Sequence, residues 1–194
     1  MIGAGQSMGK ILIIAEKPSA GRDIARILGV REDKGTYMEN DSYIVTWAVG
    51  HLVELKDPED INDKYKKWNA EDIPLPADNG LKIKKGTKTQ FDVIKKLIAR
   101  SDIDYLINAG DAGREGLLIQ SWIYRMAGNT HPVKILWSSS LTDEAIKSAM
   151  NRLHDENEDE FAQCHLDKDD AKNSVCRNMY PVLFLYNFIK HLTG

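Results

Sequence analysis

Two short, almost continuous apolar runs constrain the fold of this 194-residue chain more than any other feature of its sequence. Residues 11–15 read Ile-Leu-Ile-Ile-Ala, and residues 105–109 read Tyr-Leu-Ile-Asn-Ala. A strand with one face in water alternates apolar and polar residues, whereas a short continuous apolar run is typical of a parallel strand buried on both faces. We therefore predict that both runs are central strands of a parallel sheet.

Segments with helix signals follow these strands. Ser19 is a suitable N-cap for a helix that runs to about residue 28, where Gly29 ends it. A second helix is predicted over about residues 115–126, and a third strand over residues 133–137 precedes a helix capped by Thr142. This alternation predicts an α/β domain with a mostly parallel sheet flanked by helices.

The region between the two runs is less regular. A strand is predicted over residues 42–49, after a turn at Asn40. Residues 57–80 hold three of the six prolines, so we expect a loop-rich insertion there. Residues 82–100 are cationic and partly helical, because four apolar residues have the spacing of one helix face: Phe91, Ile94, Leu97 and Ile98.

We divide the chain into three segments. Residues 1–9 show no periodicity and are expected to be a leader or a cloning remnant. Residues 10–153 form the α/β domain. Residues 154–194 form a short divergent tail, which is acidic at first and then rich in aromatic residues.

Composition limits the classes of protein to which the chain can belong. The formal net charge of −3 is close to neutral, so nucleic-acid binding requires a local basic surface or a partner domain. Two cysteines are too few for a disulfide framework, which favours the cytoplasm. The longest apolar stretch in the tail, residues 181–185, is far shorter than the roughly 20 apolar residues that a helix needs to span a bilayer. A membrane is therefore not an expected partner. Ile11 follows Lys10 where a phosphate loop requires Ser or Thr, so a nucleotide is not an expected partner either.

Acidic residues stand where the two central strands end. Glu16 follows the first strand, and Asp111 and Glu115 follow the second. The carboxyl edge of an open α/β sheet is where ligands bind, and carboxylates gathered there favour a hard cation such as Mg²⁺. A single acidic residue at a strand end is more often a cap or a solvated turn, and spacing alone does not decide between the two interpretations.

A basic segment precedes the second central strand. Seven cationic residues between 82 and 100 are opposed within that window only by Asp92. A solvated helix face is the default interpretation. The alternative is contact with a DNA backbone, for which Lys84, Lys85 and Lys88 are the candidates.

Four segments, in the same order along the chain, resemble the signature motifs of type IA DNA topoisomerases of the topoisomerase III kind. They are residues 11–19 (ILIIAEKPS), 45–55 (VTWAVGHLVEL), 108–116 (NAGDAGREG) and 137–146 (WSSSLTDEAI). The resemblance implies the Toprim fold, a Rossmann-like arrangement, and covers residues 10–150. It also implies that the chain is part of an enzyme that cleaves one DNA strand, passes DNA through the gap and rejoins the strand without ATP.

The resemblance assigns roles to residues of this chain. Glu16 acts as acid/base or metal ligand, and Lys17 contacts the scissile phosphate. Asp111 and Glu115 hold Mg²⁺. The supporting residues near the DNA are Arg114, which we count with the catalytic group, and His51, which we count with the DNA-binding residues.

Two positions depart from the family pattern. Gly113 stands where the middle aspartate of the Asp-x-Asp-x-Glu loop is expected, and Leu117 stands where some topoisomerase III sequences carry a further glutamate. We therefore expect weak Mg²⁺ binding through Glu16, Asp111 and Glu115.

The nucleophilic tyrosine of the family lies far downstream in a separate domain. Tyr180-Pro181 is followed by Val182 rather than the Arg-Thr of the family's active site, so Tyr180 is not taken as the nucleophile. We predict an N-terminal part of the enzyme that does not relax DNA alone, with single-stranded DNA and the remaining topoisomerase domains as partners. The alternatives are a non-catalytic, stand-alone Toprim module that binds DNA or protein, and another Toprim enzyme such as a nuclease or primase. The Gly-His-Leu and Ser-Leu-Thr segments point away from the last of these.

Overall fold

The fold was obtained as a computed structural model that describes residues 9–67 and 80–158. The predictions about Tyr180, the two cysteines and the tail beyond residue 158 lie outside the described residues. The strands are β1 (Lys10–Ala15), β2 (Glu32–Asp33), β3 (Tyr37–Glu39), β4 (Tyr43–Trp47), β5 (Val53–Leu55), β6 (Leu81–Ile83), β7 (Ile103–Ala109), β8 (Val133–Ile135) and β9 (His154–Asp155). The helices are α1 (Pro18–Ile27), α2 (Pro58–Ile61), α3 (Lys88–Ile98), α4 (Arg114–Met126) and α5 (Asp143–Met150), with one 3₁₀ turn at Asp63–Lys66.

Seven strands form the main sheet in the order β2-β3-β4-β1-β7-β8-β9. The four central strands, β4, β1, β7 and β8, are parallel, and the outer strands β2, β3 and β9 are antiparallel to their neighbours. The predicted α/β fold with a mostly parallel sheet is confirmed. The sheet also extends to residues 154–155, since β9 pairs with β8.

The central position of β1 explains its apolar sequence. Leu12 and Ile14 face a core cluster shared with α3 and α4, whereas Ile13 and Ala15 face a second cluster shared with α1 and α5. All four residues are at most 1% exposed. Full burial of each large aliphatic side chain contributes about 1.5–3 kcal/mol, so both faces of β1 stabilise the domain.

The helices begin and end close to the predicted positions. α1 starts at Pro18, one residue before the predicted cap, because proline is favoured in the first helical turn. The predicted cap of α5 is confirmed: Thr142 Oγ1 accepts a hydrogen bond from the Ala145 backbone N–H at 3.3 Å. The predicted apolar face of α3 is also confirmed, and it packs in the same core cluster as Leu12.

The segment between β4 and α3 forms a small appendage. β5 and β6 pair as a separate antiparallel sheet, and α2 and the 3₁₀ turn lie between them in the chain. No described helix is long and apolar enough to cross a membrane.

Candidate functional site

The four motif-bearing segments meet at one edge of the main sheet. Because β4, β1, β7 and β8 are parallel, the loops that follow them all lie at the same edge. Glu16 follows β1, residues 48–52 follow β4, residues 110–113 follow β7, and residues 136–142 follow β8. This is the carboxyl edge, where open α/β sheets bind their ligands.

A direct contact joins the loops after β1 and β7. The Asp111 backbone N–H donates a hydrogen bond to Glu16 Oε2 over 2.8 Å. Lys17 Nζ lies 4.0 Å from Asp111 Oδ2, and these two side chains are 50% and 63% exposed. An ion pair this exposed contributes little to stability, so both groups are available to a ligand. The structure therefore brings Glu16, Lys17 and Asp111 together, as the sequence predicts.

The turn from β7 into α4 depends on two glycines. A β-carbon on Gly110 would lie 2.9 Å from the Gly116 carbonyl oxygen, and one on Gly116 would lie 2.5 Å from the Asp111 carbonyl oxygen. Both distances are shorter than a side chain tolerates, so only glycine permits the first turn of α4 to pack directly against the Asp111 loop.

Asn108 is a positioning residue that the sequence reasoning did not single out. It is 1% exposed, and its Oδ1 accepts a hydrogen bond from the Gly110 N–H at 3.0 Å. Its Nδ2 donates to the Leu117 carbonyl oxygen at 3.4 Å, which links the turn to α4. The available signal was one amide within an otherwise apolar strand, since a buried polar side chain needs partners.

The acidic residues provide oxygen ligands but no closed cage. Within residues 9–67 and 80–158, no three or more acidic, histidine or cysteine side chains are arranged to hold a metal ion. Glu115 is exposed in the first turn of α4, and Arg114 is the first residue of that helix. Mg²⁺ commonly takes one or two carboxylates and keeps several waters, so Glu16 with Asp111 fits a hydrated ion of this kind.

The two positions that depart from the family pattern differ in their surroundings. Gly113 is the N-cap of α4, has an extended φ of −175°, and a β-carbon there would contact nothing within 4 Å. Leu117 is 1% exposed and packs against Ile135. Leu117 is therefore a core residue here, whereas the space around Gly113 is open.

Hydrogen bonds connect the predicted DNA-binding residues to the site edge. Lys84 N–H donates to the Leu52 carbonyl oxygen at 2.9 Å, and Thr87 Oγ1 donates to the same oxygen at 3.1 Å. The loop that carries the exposed Lys84 and Lys85 thus lies beside the exposed His51. The His51 loop is joined to β1 through the Ala48 N–H, which donates to the Ala15 carbonyl oxygen at 2.8 Å.

Acidic residues distant in sequence reduce the predicted basic surface. Lys82 contacts Asp57 at 2.7 Å and also Asp60, and although partial burial opposes its charge, these hydrogen bonds raise the Lys82 pKa above its usual value. Lys88 pairs with Asp92 at 2.7 Å. Asp92 is the only acidic residue within residues 82–100, but Asp57 and Asp60 from outside that window also oppose the basic segment.

The charge of Arg100 is compensated both by a neighbouring residue and by a distant one. It pairs with Asp102 at 2.7 Å and with Glu39 at 2.9 Å. Among the described residues, Lys84 and Lys85 have no ion-pair partner within 4.0 Å. Of the three candidate DNA-contacting lysines, these two are therefore the ones whose charge is uncompensated, since Lys88 pairs with Asp92.

Comparisons with known proteins agree with this geometry. Residues 11–138 match the family model described as "Toprim domain". The chain is 49% identical over 147 residues to DNA topoisomerase 3 from Bacillus thuringiensis (strain Al Hakam) and 45% identical to that from Bacillus subtilis (strain 168). Each alignment covers 75% of this chain and 20% of the relative, so the chain spans about a fifth of the length of these curated relatives.

One solved structure is similar in fold. Full-length topoisomerase I from Thermotoga maritima matches with a TM-score of 0.50 and 21% identity, over 74% of this chain and 21% of that chain. At this identity the similarity supports the fold alone.

Proposed function

Since the chain belongs to the Toprim domain family, we propose that it is the Toprim part of a type IA DNA topoisomerase of the topoisomerase III kind. In this proposal the whole enzyme changes DNA linking number by cleaving, passing and rejoining a single strand without ATP. The observation that carries the proposal is the hydrogen bond from the Asp111 N–H to Glu16, which joins the first and third motifs beside Lys17.

The chain's own residues handle the phosphate and the proton. Lys17, half exposed at the site edge, pairs with an oxygen of the scissile phosphate. In its protonated form Glu16 gives a proton to the oxygen that leaves the phosphorus as the tyrosine oxygen bonds to it, while the tyrosine proton passes to water. On rejoining, Glu16 takes the proton back from that oxygen as the bond to tyrosine breaks. Glu16 and Asp111, with Glu115 in the next turn, are the residues that would hold Mg²⁺, which when bound neutralises charge on the phosphate. Arg114 assists from the start of α4.

The nucleophilic tyrosine is supplied by the remaining topoisomerase domains, which are one proposed partner. Single-stranded DNA is the other. Its backbone follows the edge from the Glu16 site to His51, Lys84 and Lys85, with a smaller contribution from Lys88 because that lysine is paired with Asp92.

A second candidate is a stand-alone Toprim module that binds DNA or protein without catalysis. Gly113 and Leu117 favour it, because neither position supplies a carboxylate to the site. The two candidates differ in their need for a metal: the topoisomerase part binds DNA more tightly with Mg²⁺, whereas a non-catalytic module binds independently of it.

The proposal is tested by fluorescence anisotropy of labelled single-stranded DNA over a salt series. Changing Lys84 and Lys85 to Glu should reduce the slope of log affinity against log salt by about 1.4, roughly 0.7 for each phosphate of a single strand that a lysine no longer neutralises. Lys96→Glu is the matched control, because Lys96 is exposed near the end of α3, which leads to the opposite edge of the sheet. Equal slopes for all variants would remove the DNA path from the proposal.

The same assay separates the two candidates at Lys17. Lys17→Gln should weaken DNA binding with Mg²⁺ present and reduce the gain that Mg²⁺ gives. If Mg²⁺ does not increase the DNA affinity of the unsubstituted chain, the stand-alone module is favoured.

A further inference from the structure

A cavity of about 390 Å³ opens beside Lys17, between α1, the end of β7 and the loop that leads to α5. Its inner wall is apolar and consists of Ala20, Ile24, Ala109, Leu136 and Ile146. All five residues are less than 9% exposed and belong to the same core cluster. The inner wall is therefore part of the packed core, and only a small part of each of these side chains is open to a ligand.

An ion pair on the surface links the two helices that contribute to the cavity wall. Arg26 in the last turn of α1 makes a bidentate contact with Asp143 in the first turn of α5, at 2.8 and 3.2 Å. This pair raises the Arg26 pKa and lowers the Asp143 pKa, chiefly through the shared hydrogen bond. Because this pair is 58% and 43% exposed, it contributes little to stability, and α1 and α5 are held together mainly by their shared apolar core.

The rim of the cavity is polar and includes the phosphate-contacting lysine of the proposed function. Lys17 and Asp111 lie on one side, and three serines lie on the other. Ser138 Oγ donates to the Ser140 carbonyl oxygen at 2.6 Å, so it is engaged within its own loop. Among the described residues, no hydrogen bond involves the exposed Ser139 side chain, whose hydroxyl is free to meet a ligand at the mouth.

We propose that this cavity binds the base of one nucleotide of a DNA strand whose neighbouring phosphate lies at Lys17. A base is flat, uncharged and apolar on its faces but carries hydrogen-bonding groups at its edge, which matches an apolar wall with one available hydroxyl at the rim. The inference rests on the proposed function, since the strand must reach Lys17. The sequence predicted no nucleotide as a partner; the occupant here is a residue of the bound strand.

Methyl NMR of the whole chain provides the test, with Ala20, Ile24 and Ile146 as reporters in the wall. Thymidine 5′-monophosphate is titrated against 2-deoxyribose 5-phosphate, which carries the same charge but no base. We expect thymidine 5′-monophosphate to shift the three methyl groups and to bind about tenfold more tightly than the sugar phosphate. Pentathymidylate should shift the same methyl groups, which shows that a strand can deliver the base.

A variant that blocks the opening of the cavity tests whether the base enters it. Ser139→Trp, at an exposed position, should remove the difference between the two ligands and leave sugar phosphate binding unchanged. Ser101→Trp is the control, because Ser101 is exposed just before β7 begins, at the opposite edge of the sheet.

The outcomes distinguish failure of this inference from failure of the proposed function. Equal binding of both ligands, weakened alike by Lys17→Gln, would overturn the base site and leave the phosphate site intact. Shifts with free thymidine 5′-monophosphate but none with pentathymidylate would overturn the assignment to a DNA strand. Absence of binding by any of the three ligands, at Lys17 or elsewhere, would overturn the proposed function and the base site together.

Discussion

Replacement of Gly116 by alanine is the sharpest structural test of the turn that positions Asp111. The added β-carbon would lie 2.5 Å from the Asp111 carbonyl oxygen and 3.0 Å from the Asp111 nitrogen. Ordinary van der Waals contact begins near 3.4 Å, so the first turn of α4 and the Asp111 loop must move apart by nearly the whole gap between 2.5 Å and 3.4 Å, about 0.9 Å.

The expected magnitude is a balance of two effects. Alanine in place of glycine inside a helix ordinarily stabilises it by about 0.8–1.0 kcal/mol. Forcing additional volume into a packed contact costs about 1–3 kcal/mol, and backbone atoms cannot rotate away as a side chain can. We expect Gly116→Ala to lower the free energy of unfolding by about 0–2 kcal/mol net, towards the upper end because the atoms in contact belong to the backbone.

Urea unfolding followed by circular dichroism measures this change, and Gly113→Ala is its control in the same loop. The β-carbon at Gly113 meets nothing within 4 Å and the backbone is extended, so that variant should remain within about 0.5 kcal/mol of the original chain. Equal stability of the two variants would refute the reasoning that the Gly116 contact shapes the site.

Three further predictions follow from buried polar groups. Burial opposes the charge of Glu39, but hydrogen bonds from Lys10 and Arg100 outweigh it and lower the Glu39 pKa. The stability that Glu39 contributes is therefore present above the pKa of the unfolded state and is lost as the pH falls through the lower pKa of the folded state. Glu39→Gln should cost about 1–3 kcal/mol at pH 7 and flatten the acid side of a stability–pH profile. Gln120 is fully buried and its amide has no hydrogen-bond partner among the described residues, so Gln120→Met should raise the free energy of unfolding by about 1 kcal/mol in urea titrations. Asn108→Ala removes the acceptor of the Gly110 N–H and should lower the free energy of unfolding by about 1–3 kcal/mol. Faster amide hydrogen exchange at Gly110, measured by NMR, should accompany this loss.

The central strands could be predicted from the sequence because their environment is uniform. β1 and β7 are buried on both faces, so every position selects an apolar side chain and the run is visible without knowledge of the neighbours. Strands β2 and β9 contain two residues each, and their strand conformation depends on pairing with β3 and β8. A segment this short carries no alternation, and the sequence did not reveal it.

The site was predictable to the extent that it depends on strand ends. Parallel strands place Glu16 and Asp111 at one edge, and the structure brings them into contact. Much of the charge compensation could not be predicted, because Lys82 pairs with residues 22 and 25 positions away and Arg100 adds a partner 61 positions away to the neighbouring Asp102. The cavity likewise joins α1 to residues more than 100 positions later, which no local pattern encodes. The catalytic and metal-binding roles of the site residues stay predictions.

The central claim is that Glu16 and Asp111 form a site for Mg²⁺ beside Lys17, the residue proposed to contact the phosphate. Its most direct test is a Mg²⁺ titration followed at the backbone amide of Asp111, which donates to Glu16 and so reports on that carboxylate. We predict a weak, saturable shift that is lost in Asp111→Asn and Glu16→Gln but retained in Glu144→Gln, an exposed carboxylate in the first turn of α5. Saturable Mg²⁺ binding that persists unchanged in Asp111→Asn, or an Asp111 amide that does not respond to Mg²⁺, would contradict the claim.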